Sequence, residues 1–409
     1  MSDSTPDIET LKFLTNDAVR HLASEHGSPL FVYSRGMVRS AAEEVLHAFK
    51  PVPYGLTVRY AMKANPHPEV MRTLNEQGIH IDASSEYEAQ AALDAGIAPE
   101  QILLTSQQLP NDMGWIKESG VHFTATSLHQ LEQYGQAYPG SSVSIRLNTG
   151  LGSGANHRLT TGGIEVGFGI WFHQGDDRGA DIDAIVKKHD LKVERLHIHI
   201  GTGSDPAIWE QLMQAGISAL EHFTDATVLN LGGGFKLPYM RGEKGADLPA
   251  IGQIAAKYLK DFEAQTGRQI HFEAEPGRYL VARAGSLIAT VIDRSDTGEH
   301  GDEFLKLNTG MNDILRTPMY GALHPLISVA REANAQERAI NKYVVIGHCC
   351  ESSDILTTKP HDPESIDPRP MHEANIGDYM VIEMAGAYCA GMRARGYNSF
   401  PDAQEVVID

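Results

Sequence analysis

Short apolar runs recur along residues 58–275, and amphipathic stretches separate them. Two of these stretches, 86–95 and 209–223, repeat their apolar residues with the period of an α-helix. Strands that alternate with helices indicate right-handed crossovers in a parallel sheet, and eight strands close a (β/α)8 barrel. The apolar runs number eight: 58–63, 79–84, 102–106, 121–126, 143–148, 195–201, 228–234 and 270–275.

After residue 275 the chain changes to β-like segments without an intervening helical period. The segments 279–292, 304–308, 343–346 and 379–383 are rich in Val, Ile and Tyr, and turns containing Gly and Asp join them. The stretch 28–33 is also strand-like and is expected to pair into this region. We therefore predict an α/β chain of two domains. One is a (β/α)8 barrel over 35–275, and the other is a mostly antiparallel, Greek-key-like β domain over 1–34 plus 276–409.

The chain is strongly acidic, with a formal net charge of −19 and a pI of about 5.4. Such a surface is repelled by nucleic acids and by anionic membranes, so neither is expected as a partner. No apolar run approaches the length of a membrane span, and residues 1–7 lack the features of a secretory signal. Three cysteines, Cys349, Cys350 and Cys389, are no disulfide framework and indicate a reducing cytoplasm.

Polar, titratable or glycine residues occupy the C-terminal ends of the predicted strands, where barrels of this type carry their chemistry. Lys63 is the most informative of them. An amine at a strand tip, with Pro66 close behind it, points into a site where it can lose its proton and attack a carbonyl. The members of this predicted rim are Lys63, Asp82, Ser84, Arg146, Asn148, His199, Gly232, Gly233, Gly234 and Glu275.

Two glycine-containing motifs follow predicted strands. The N–H groups of the glycines at 232–234 can approach a phosphate closely because no Cβ intervenes, although a tight turn is the structural alternative. In the motif at 275–278, the Glu275 carboxylate suits a pyridine nitrogen, and the Arg278 guanidinium suits a phosphate or a carboxylate. The alternative for this second motif is a turn with a surface ion pair.

Two further clusters contain candidate chemistry. His197 and His199 share one face of a strand, a spacing that occurs in metal sites, but no third ligand follows at a characteristic interval. We therefore expect no metal, and favour an imidazole that lies flat on an aromatic cofactor. The stretch 350–354 combines the thiol of Cys350, the carboxylate of Glu351, two hydroxyls and the carboxylate of Asp354.

Together these motifs resemble the fold-type III pyridoxal-phosphate-dependent decarboxylases, the alanine racemase-like barrel enzymes. The similarity extends from about residue 28 to 400, and within the family the run 311–316 most resembles the members that act on meso-2,6-diaminopimelate. Segments 82–86, 202–205 and 347–350 depart from the family pattern, the last with His348 and an additional thiol, Cys349. The motifs that carry the resemblance are 60–65, 197–203, 232–234, 275–278, 311–316 with Tyr320 and His324, 350–354, and 387–388.

The resemblance implies a role for each matching residue. Lys63 would hold pyridoxal 5'-phosphate as an internal aldimine, His199 would stack on its ring, and Glu275 would pair with the pyridine nitrogen. Cys350 would lie near the reacting carbon, and either Cys350 or Lys63 would reprotonate a quinonoid carbanion. Further cofactor-binding residues would be Thr202, Gly233, Gly234, Gly277, Arg278 and Tyr388. Substrate-binding residues would be Arg278, Arg316, Tyr320, Glu351 and Tyr388.

The resemblance also implies a substrate and a partner. Two arginines suit a distal carboxylate and Glu351 suits a distal amine, which favours meso-2,6-diaminopimelate as the substrate and L-lysine with carbon dioxide as the products. In this family the Cys-Glu segment comes from the second subunit, which implies a homodimer with shared active sites. The open alternatives are a decarboxylase of D-lysine, D-ornithine or carboxynorspermidine, an amino-acid racemase, and a binding protein without activity. Whether Cys349 or Cys350 is the functional thiol also stays open.

Overall fold

The computed structural model describes residues 8–153, 160–173, 178–333 and 338–409 of the chain. The chain divides into two compact units. One comprises Arg39–Leu237 and Lys244–Leu280, and the other comprises Met1–Val38, Pro238–Glu243 and Val281–Asp409. Across the described ranges, no helix is both long enough and apolar enough to cross a membrane.

Helices and strands alternate through the first two thirds of the chain. In chain order they are α1 (Asn16–His26), β1 (Leu30–Ser34), α2 (Arg35–Ala48), β2 (Leu56–Ala61), α3 (Pro68–Asn75), β3 (His80–Ala83), α4 (Glu86–Asp94), β4 (Ile102–Leu104), α5 (Gly114–Ser119), β5 (His122–Ala125), α6 (Leu128–Ala137), β6 (Ser142–Asn148), β7 (Ile170–Trp171), α7 (Arg178–His189), β8 (Lys192–Ile198), α8 (Pro206–His222), β9 (Val228–Asn230), α9 (Leu248–Thr266), β10 (His271–Ala274) and α10 (Arg278–Val281).

Strands dominate the rest. They are β11 (Gly285–Asp296), β12 (Glu303–Leu307), β13 (Leu326–Val329), β14 (Ile340–Ile346), β15 (Thr358–Lys359), β16 (Asp362–Ile366), β17 (Arg369–His372), β18 (Tyr379–Ile382) and β19 (Gln404–Ile408), with the short helix α11 (Arg316–Tyr320) between β12 and β13.

Within its described residues, the first unit contains a closed barrel of eight parallel strands. β2 pairs with β3, and the pairing continues through β4, β5, β6, β8, β9 and β10 back to β2. The two-residue β7 is an additional parallel neighbour of β6. The predicted (β/α)8 barrel is therefore confirmed. Several strands end before the apolar runs do, because the polar and glycine residues at the end of a run lie in the loop that follows.

Side-chain caps begin the helices that follow two of these strands. Ser85 accepts the N–H of Glu88 at 3.1 Å before α4, and Asp205 accepts the N–H of Ala207 at 2.9 Å before α8. Each cap satisfies an amide that the first helical turn leaves unpaired. Ser85 and Asp205 lie in two of the segments that we expected to depart from the family pattern, and each has this capping role in the structure.

The second unit is mainly antiparallel. Its principal sheet has the order β13-β18-β11-β12-β14-β17, and β1 joins it by pairing with β11 antiparallel and with β19 parallel. The predicted pairing of the 28–33 stretch is confirmed, with Leu30 opposite Ile288. A cluster that includes Leu14, Val19 and Val381 packs the helix α1 against this sheet.

One predicted strand was partly wrong. The segment 279–292 was expected to be extended throughout, but Arg278–Val281 forms a helical turn, Ala282–Ala284 forms a 3-10 turn, and the strand begins at Gly285. The residues from Tyr279 to Ala282 are all buried. A short apolar run that is buried on every side has no period that separates a strand from a helical turn.

Candidate active site

The amine of Lys63 lies just beyond the end of β2. We predicted Lys63 as the last residue of that strand, but β2 ends at Ala61 and Lys63 lies in the 3-10 turn Met62–Ala64. Met62 and Ala64 are buried, whereas Lys63 is exposed. The turn is fixed at its end, where the Tyr60 hydroxyl donates to the Asn65 carbonyl oxygen at 2.9 Å. The chain thus anchors the neighbours of Lys63 and leaves its amine accessible.

Two acidic side chains lie close enough to Lys63 for its charge to act on them. Asp82, at the end of β3, is 3% exposed, and burial together with the charge of Glu275 raises its pKa well above the ordinary value. Its Oδ1 has no hydrogen-bond partner among the described residues. Burial also raises the pKa of Glu88, which accepts the Ser84 N–H at 2.7 Å. A buried carboxyl oxygen without a partner is what a site for a polar ligand provides.

His199 is held in a neutral form beside the glycine turn. Burial, with the nearby charges of Arg146 and Lys63, lowers its pKa well below the ordinary value. The Gly233 N–H donates to His199 Nδ1 at 3.3 Å, which leaves the ring proton on Nε2. An uncharged imidazole is suited to lying against an aromatic ring.

The glycine turn at 232–234 tolerates no side chain. A Cβ on Gly233 would lie 2.1 Å from the Glu275 carbonyl oxygen, and one on Gly234 would lie 1.6 Å from the Gly201 carbonyl oxygen. Gly234 also has a φ of +99°, which residues with a Cβ rarely adopt. Without side chains, the backbone of this turn packs closely against its neighbours. The absence of side chains also lets a ligand approach the backbone N–H groups.

Glu275 is a buried carboxylate with two polar neighbours. His197 Nε2 lies 3.0 Å from its Oε2, and the Asn230 amide donates to its Oε1 at 2.6 Å. Burial alone would raise the pKa of Glu275, but His197 and Asn230 outweigh it and hold that pKa below the ordinary value. His197 thus faces a carboxylate, and no group of three or more metal-ligating side chains occurs in the described parts of the chain.

Asn230 is a residue that the sequence did not single out. Its Oδ1 accepts the Gly232 N–H at 2.8 Å, while its amide bridges Glu275 and Glu273, at 2.6 and 3.1 Å. Glu273 is itself paired with two arginines, Arg59 at 2.9 Å and Arg195 at 3.1 Å. One amide therefore connects the glycine turn, the buried carboxylate and the ion pairs inside the barrel. Its place at the last position of β9 is the only sequence signal, and position alone does not reveal these partners.

The other predicted site residues of the barrel unit lie in or beside the loops that follow the strands. Thr202 is half-buried, and its backbone exchanges hydrogen bonds with Ser153 through two contacts of 2.9 Å. A Cβ on the buried Gly277 would lie 3.1 Å from the Ala61 carbonyl oxygen, which sets the distance between the 275–278 motif and the end of β2. Arg278 begins α10 and is half-buried.

In the second unit, Arg316 is held in one orientation. It is 6% exposed, its Nη1 donates to His324 Nε2 at 2.9 Å, and its guanidinium lies 4.9 Å from the centre of the Tyr239 ring. His324 Nδ1 in turn donates to the Glu383 carbonyl oxygen at 2.9 Å, which fixes its tautomer. Tyr320 is half-buried at the last position of α11.

The three thiols of this unit differ sharply. Cys349 is buried, and burial together with the charge of Asp354 raises its pKa to about 12. Burial likewise raises the pKa of Cys389 to about 11. Cys350 is exposed, as is its neighbour Glu351, whose pKa is lowered mainly by a hydrogen bond from Tyr397. Accessibility therefore favours Cys350 as the reactive thiol.

Two other predicted residues of this unit also have defined surroundings. Tyr388 is half-buried, with a left-handed backbone at φ of +58°. A non-glycine residue holds that conformation only where its surroundings fix it. Asp354 accepts two backbone N–H groups, those of Met311 at 2.6 Å and Cys349 at 2.8 Å, so it supports the loop from inside.

The barrel residues fit pyridoxal phosphate on structural grounds. An accessible amine (Lys63), a neutral imidazole (His199), a glycine turn without room for a Cβ (Gly234) and a deprotonated buried carboxylate (Glu275) are the groups that its aldehyde, ring, phosphate and pyridine nitrogen require. Asp82 Oδ1 adds a buried polar atom that has no hydrogen-bond partner among the described residues.

Comparison with known proteins agrees with this chemistry. The family model described as "Pyridoxal-dependent decarboxylase, pyridoxal binding domain" matches residues 35–282. Diaminopimelate decarboxylase of Escherichia coli K12 is 32% identical over 403 residues, which are 97% of this chain and 92% of that protein. A crystal structure of diaminopimelate decarboxylase has a TM-score of 0.88 and 31% identity, and the match covers 98% of this chain and 94% of that one. The Helicobacter pylori enzyme, complexed with L-lysine, has a TM-score of 0.81 and 25% identity over 95% of this chain and 93% of its own.

Proposed function

Because this chain belongs to the diaminopimelate decarboxylases, a family of pyridoxal-dependent carboxy-lyases, we propose that it converts meso-2,6-diaminopimelate to L-lysine and carbon dioxide at the barrel rim described above. The observation that carries the proposal is the buried Glu275 carboxylate, which His197 and Asn230 keep charged near the neutral His199. Such a carboxylate stabilises a positive pyridine nitrogen and is costly to bury without that purpose.

The barrel residues hold the cofactor and set its charge. Lys63 would hold pyridoxal phosphate through its amine, His199 would lie against the ring, and Glu275 would keep a negative charge at the pyridine nitrogen. When bound, the protonated ring accepts the electrons of the bond that breaks as carbon dioxide leaves. The resemblance to the family assigns the phosphate to Gly233, Gly234, Gly277, Thr202, Arg278 and Tyr388, which would surround it.

The second amino-acid head of the substrate carries one carboxylate and one amine. We assign the carboxylate to Arg278, Arg316 and Tyr320, with Tyr388 also near the substrate, and the amine to Glu351. Arg316 suits this role because His324 fixes the plane of its guanidinium, and a fixed fork recognises a carboxylate through two parallel hydrogen bonds. The lowered pKa of Glu351 keeps it anionic for an ammonium group.

Cys350 moves the proton that replaces the departing carboxylate. Its exposed thiol is available, whereas Cys349 is buried and its pKa of about 12 makes it a weak acid. We further propose that the chain acts as a homodimer in the cytoplasm, and that Cys350 and Glu351 serve the active site of the second copy. The L-lysine held by the Helicobacter pylori relative supports L-lysine as the product that this chain releases.

Carbon dioxide release by the cofactor-loaded protein tests the proposal. The panel is meso-diaminopimelate, D-lysine, D-ornithine, L-lysine, L-ornithine and L-arginine, with Lys63→Ala as the inactive control. Turnover of meso-diaminopimelate alone supports the proposal. Preference for a monocarboxylic amino acid would contradict the assignment of Arg316 to a distal carboxylate. A protein with neither turnover nor a borohydride-sensitive visible absorbance is no pyridoxal-phosphate-dependent decarboxylase.

A further inference from the structure

The loop that carries Cys350 and Glu351 is held by a segment near the C-terminus. Three residues of the loop each contact a different residue of the segment 397–400. The Cys350 N–H donates to the Asn398 side-chain oxygen at 2.7 Å, and the Tyr397 hydroxyl donates to Glu351 Oε2 at 2.9 Å. The third contact is a ring stack of His348 on Phe400, the ring centres 3.6 Å apart and the planes 8° from parallel.

Both sides of this contact have a fixed conformation. His348 Nε2 donates to the Asn312 side-chain oxygen at 2.9 Å, since the Asn312 amide nitrogen is used as a donor to Asp313. Asn398 has a φ of +48°, a left-handed conformation that asparagine adopts more readily than most residues. That conformation presents its side-chain oxygen to the Cys350 N–H.

The position of these contacts along the loop is informative. Cys350 and Glu351 are exposed, so neither hydrophobic burial nor a core contact restrains them. Glu351 has both oxygens engaged, because Oε1 also accepts the Ser353 N–H and hydroxyl at 3.3 Å. An exposed thiol and an exposed carboxylate that must meet a substrate in one geometry gain rate from being oriented beforehand.

We propose that Tyr397, Asn398 and Phe400 form a clamp that positions Cys350 and Glu351 for the decarboxylation, with Asn398 setting the thiol and Tyr397 setting the carboxylate. The inference rests on the proposed function, in which the thiol moves a proton and the carboxylate binds the distal amine. Tyr397 and Asn398 are positioning residues, because they act through the loop. His348, at which we expected this chain to depart from its family pattern, also takes part in the clamp because it stacks on Phe400.

The test compares substitutions at Asn398 in the cofactor-loaded protein. Asn398→Gly removes the acceptor and keeps the left-handed backbone free of strain, whereas Asn398→Asp keeps an acceptor oxygen. Ser399→Gly is the matched control, because Ser399 has a φ of +60° in the same segment but contributes no contact to the clamp. We expect kcat with meso-diaminopimelate to fall roughly five- to tenfold in Asn398→Gly, to recover largely in Asn398→Asp, and to stay at the wild-type value in Ser399→Gly.

Alkylation of Cys350 by iodoacetamide, followed by peptide mass spectrometry, gives a readout that does not need turnover. We expect Asn398→Gly to raise the alkylation rate severalfold while the melting temperature and the cofactor affinity stay unchanged. Equal alkylation rates and equal kcat values in Asn398→Gly and Ser399→Gly would overturn the clamp and leave the proposed function standing. A wild-type protein that does not turn over meso-diaminopimelate would remove the function, and the alkylation rates would still decide whether the segment holds the loop.

Tyr397→Phe tests the other half of the clamp. Loss of the hydroxyl releases Glu351 Oε2 and removes the main cause of the lowered pKa of Glu351. We expect the KM for meso-diaminopimelate to rise roughly fivefold, and the acid limb of the kcat/KM profile to move to higher pH. An unchanged KM together with an unchanged acid limb would overturn the role assigned to Tyr397.

Discussion

His197 Nε2 lies 3.0 Å from Glu275 Oε2, and both side chains are almost completely buried in the barrel. The two residues come from β8 and from the end of β10, so the contact spans one intervening strand, β9. Asn230 of that strand holds the other Glu275 oxygen. Glu275 is therefore oriented from two sides, and its charge is maintained where burial alone would suppress it.

Replacing Glu275 by Gln removes the charge and keeps the shape. We expect kcat to fall roughly ten- to hundredfold, because a hydrogen bond to a buried charged group contributes about 1.5–3 kcal/mol. Steady-state carbon dioxide release measures the effect, and the visible absorbance of the bound cofactor shows that loading is equal. A rate within twofold of wild type would contradict the assigned role of the carboxylate.

The barrel and its rim follow directly from the sequence because period and strand count are local properties. Lys63, His199 and Glu275 sit at or near strand ends, so a parallel barrel brings them to one edge without further information. The side chains that these residues contact could not be predicted in the same way. His197 shares a strand face with His199, and the sequence favoured no metal for this pair, yet the strand pattern does not indicate that a carboxylate lies opposite His197.

Other features depend on contacts that no local pattern encodes. Asn230 has its role only because β9 lies between His197 and Glu275. Asn398 and Tyr397 are far in sequence from the loop they contact, at separations of 48 and 46 residues. Side-chain partners across such separations are set by the three-dimensional arrangement of the second unit, so the sequence alone did not single out these two residues.

A methyl group on Gly234 should disrupt the site. Gly234→Ala places a Cβ 1.6 Å from the Gly201 carbonyl oxygen and adds a residue with a Cβ at a φ of +99°. We expect the affinity for pyridoxal phosphate to fall at least about tenfold, because the backbone of the turn must move. Fluorescence titration of the cofactor-free protein measures it.

Gly267→Ala is the matched control for Gly234→Ala. Gly267 also has a positive φ, +73°, but a Cβ there meets no atom within 4 Å. Gly267→Ala should lower the free energy of unfolding by about 1–2 kcal/mol, because a residue with a Cβ must adopt the left-handed backbone. The cofactor affinity should stay unchanged. Equal losses of affinity in both variants would mean that general destabilisation, and not the glycine turn, explains the effect.

Arg316 should affect substrate binding more than the chemical step. We expect Arg316→Ala to raise the KM for meso-diaminopimelate roughly ten- to hundredfold with a smaller change in kcat, since a charged hydrogen bond to the distal carboxylate is lost. Arg316→Lys keeps the charge but loses the planar guanidinium. Its KM should therefore lie between those of the wild type and Arg316→Ala. An unchanged KM in Arg316→Ala, at full thermal stability, would rule out the distal-carboxylate role.

Acidification should destabilise the cofactor-free protein. Among the residues that the structure describes, burial lowers the pKa of five histidines, namely His80, His122, His199, His271 and His348. Below a pH of about 6.5 the unfolded chain then binds more protons than the folded chain, so stability is full above that pH and is lost as the pH falls. We expect the melting temperature to decrease between about pH 7.5 and pH 5.5.

A pair of substitutions locates the source of that pH dependence. His80 lies near the positive charge of Arg59, and His271 lies near those of Arg195 and Arg59, and these charges oppose protonation. The variant with His80→Gln and His271→Gln should show a smaller decrease in melting temperature over the same range, whereas His129→Gln, at an exposed position, should follow the wild type. A decrease equal to that of the wild type in the double variant would assign the effect to other groups.

The two adjacent thiols should behave as opposites. Cys350 is exposed, while Cys349 is buried and its thiol donates to the Asn312 side-chain oxygen at 3.5 Å. We expect Cys350→Ser to lower kcat by about 10²-fold or more, the contribution of a positioned proton-transfer group. Cys349→Ser keeps a donor of similar size and should leave kcat within about twofold of wild type. Because the substitutions are chemically identical and lie one residue apart, a larger loss in Cys349→Ser than in Cys350→Ser would reverse the assignment of the functional thiol.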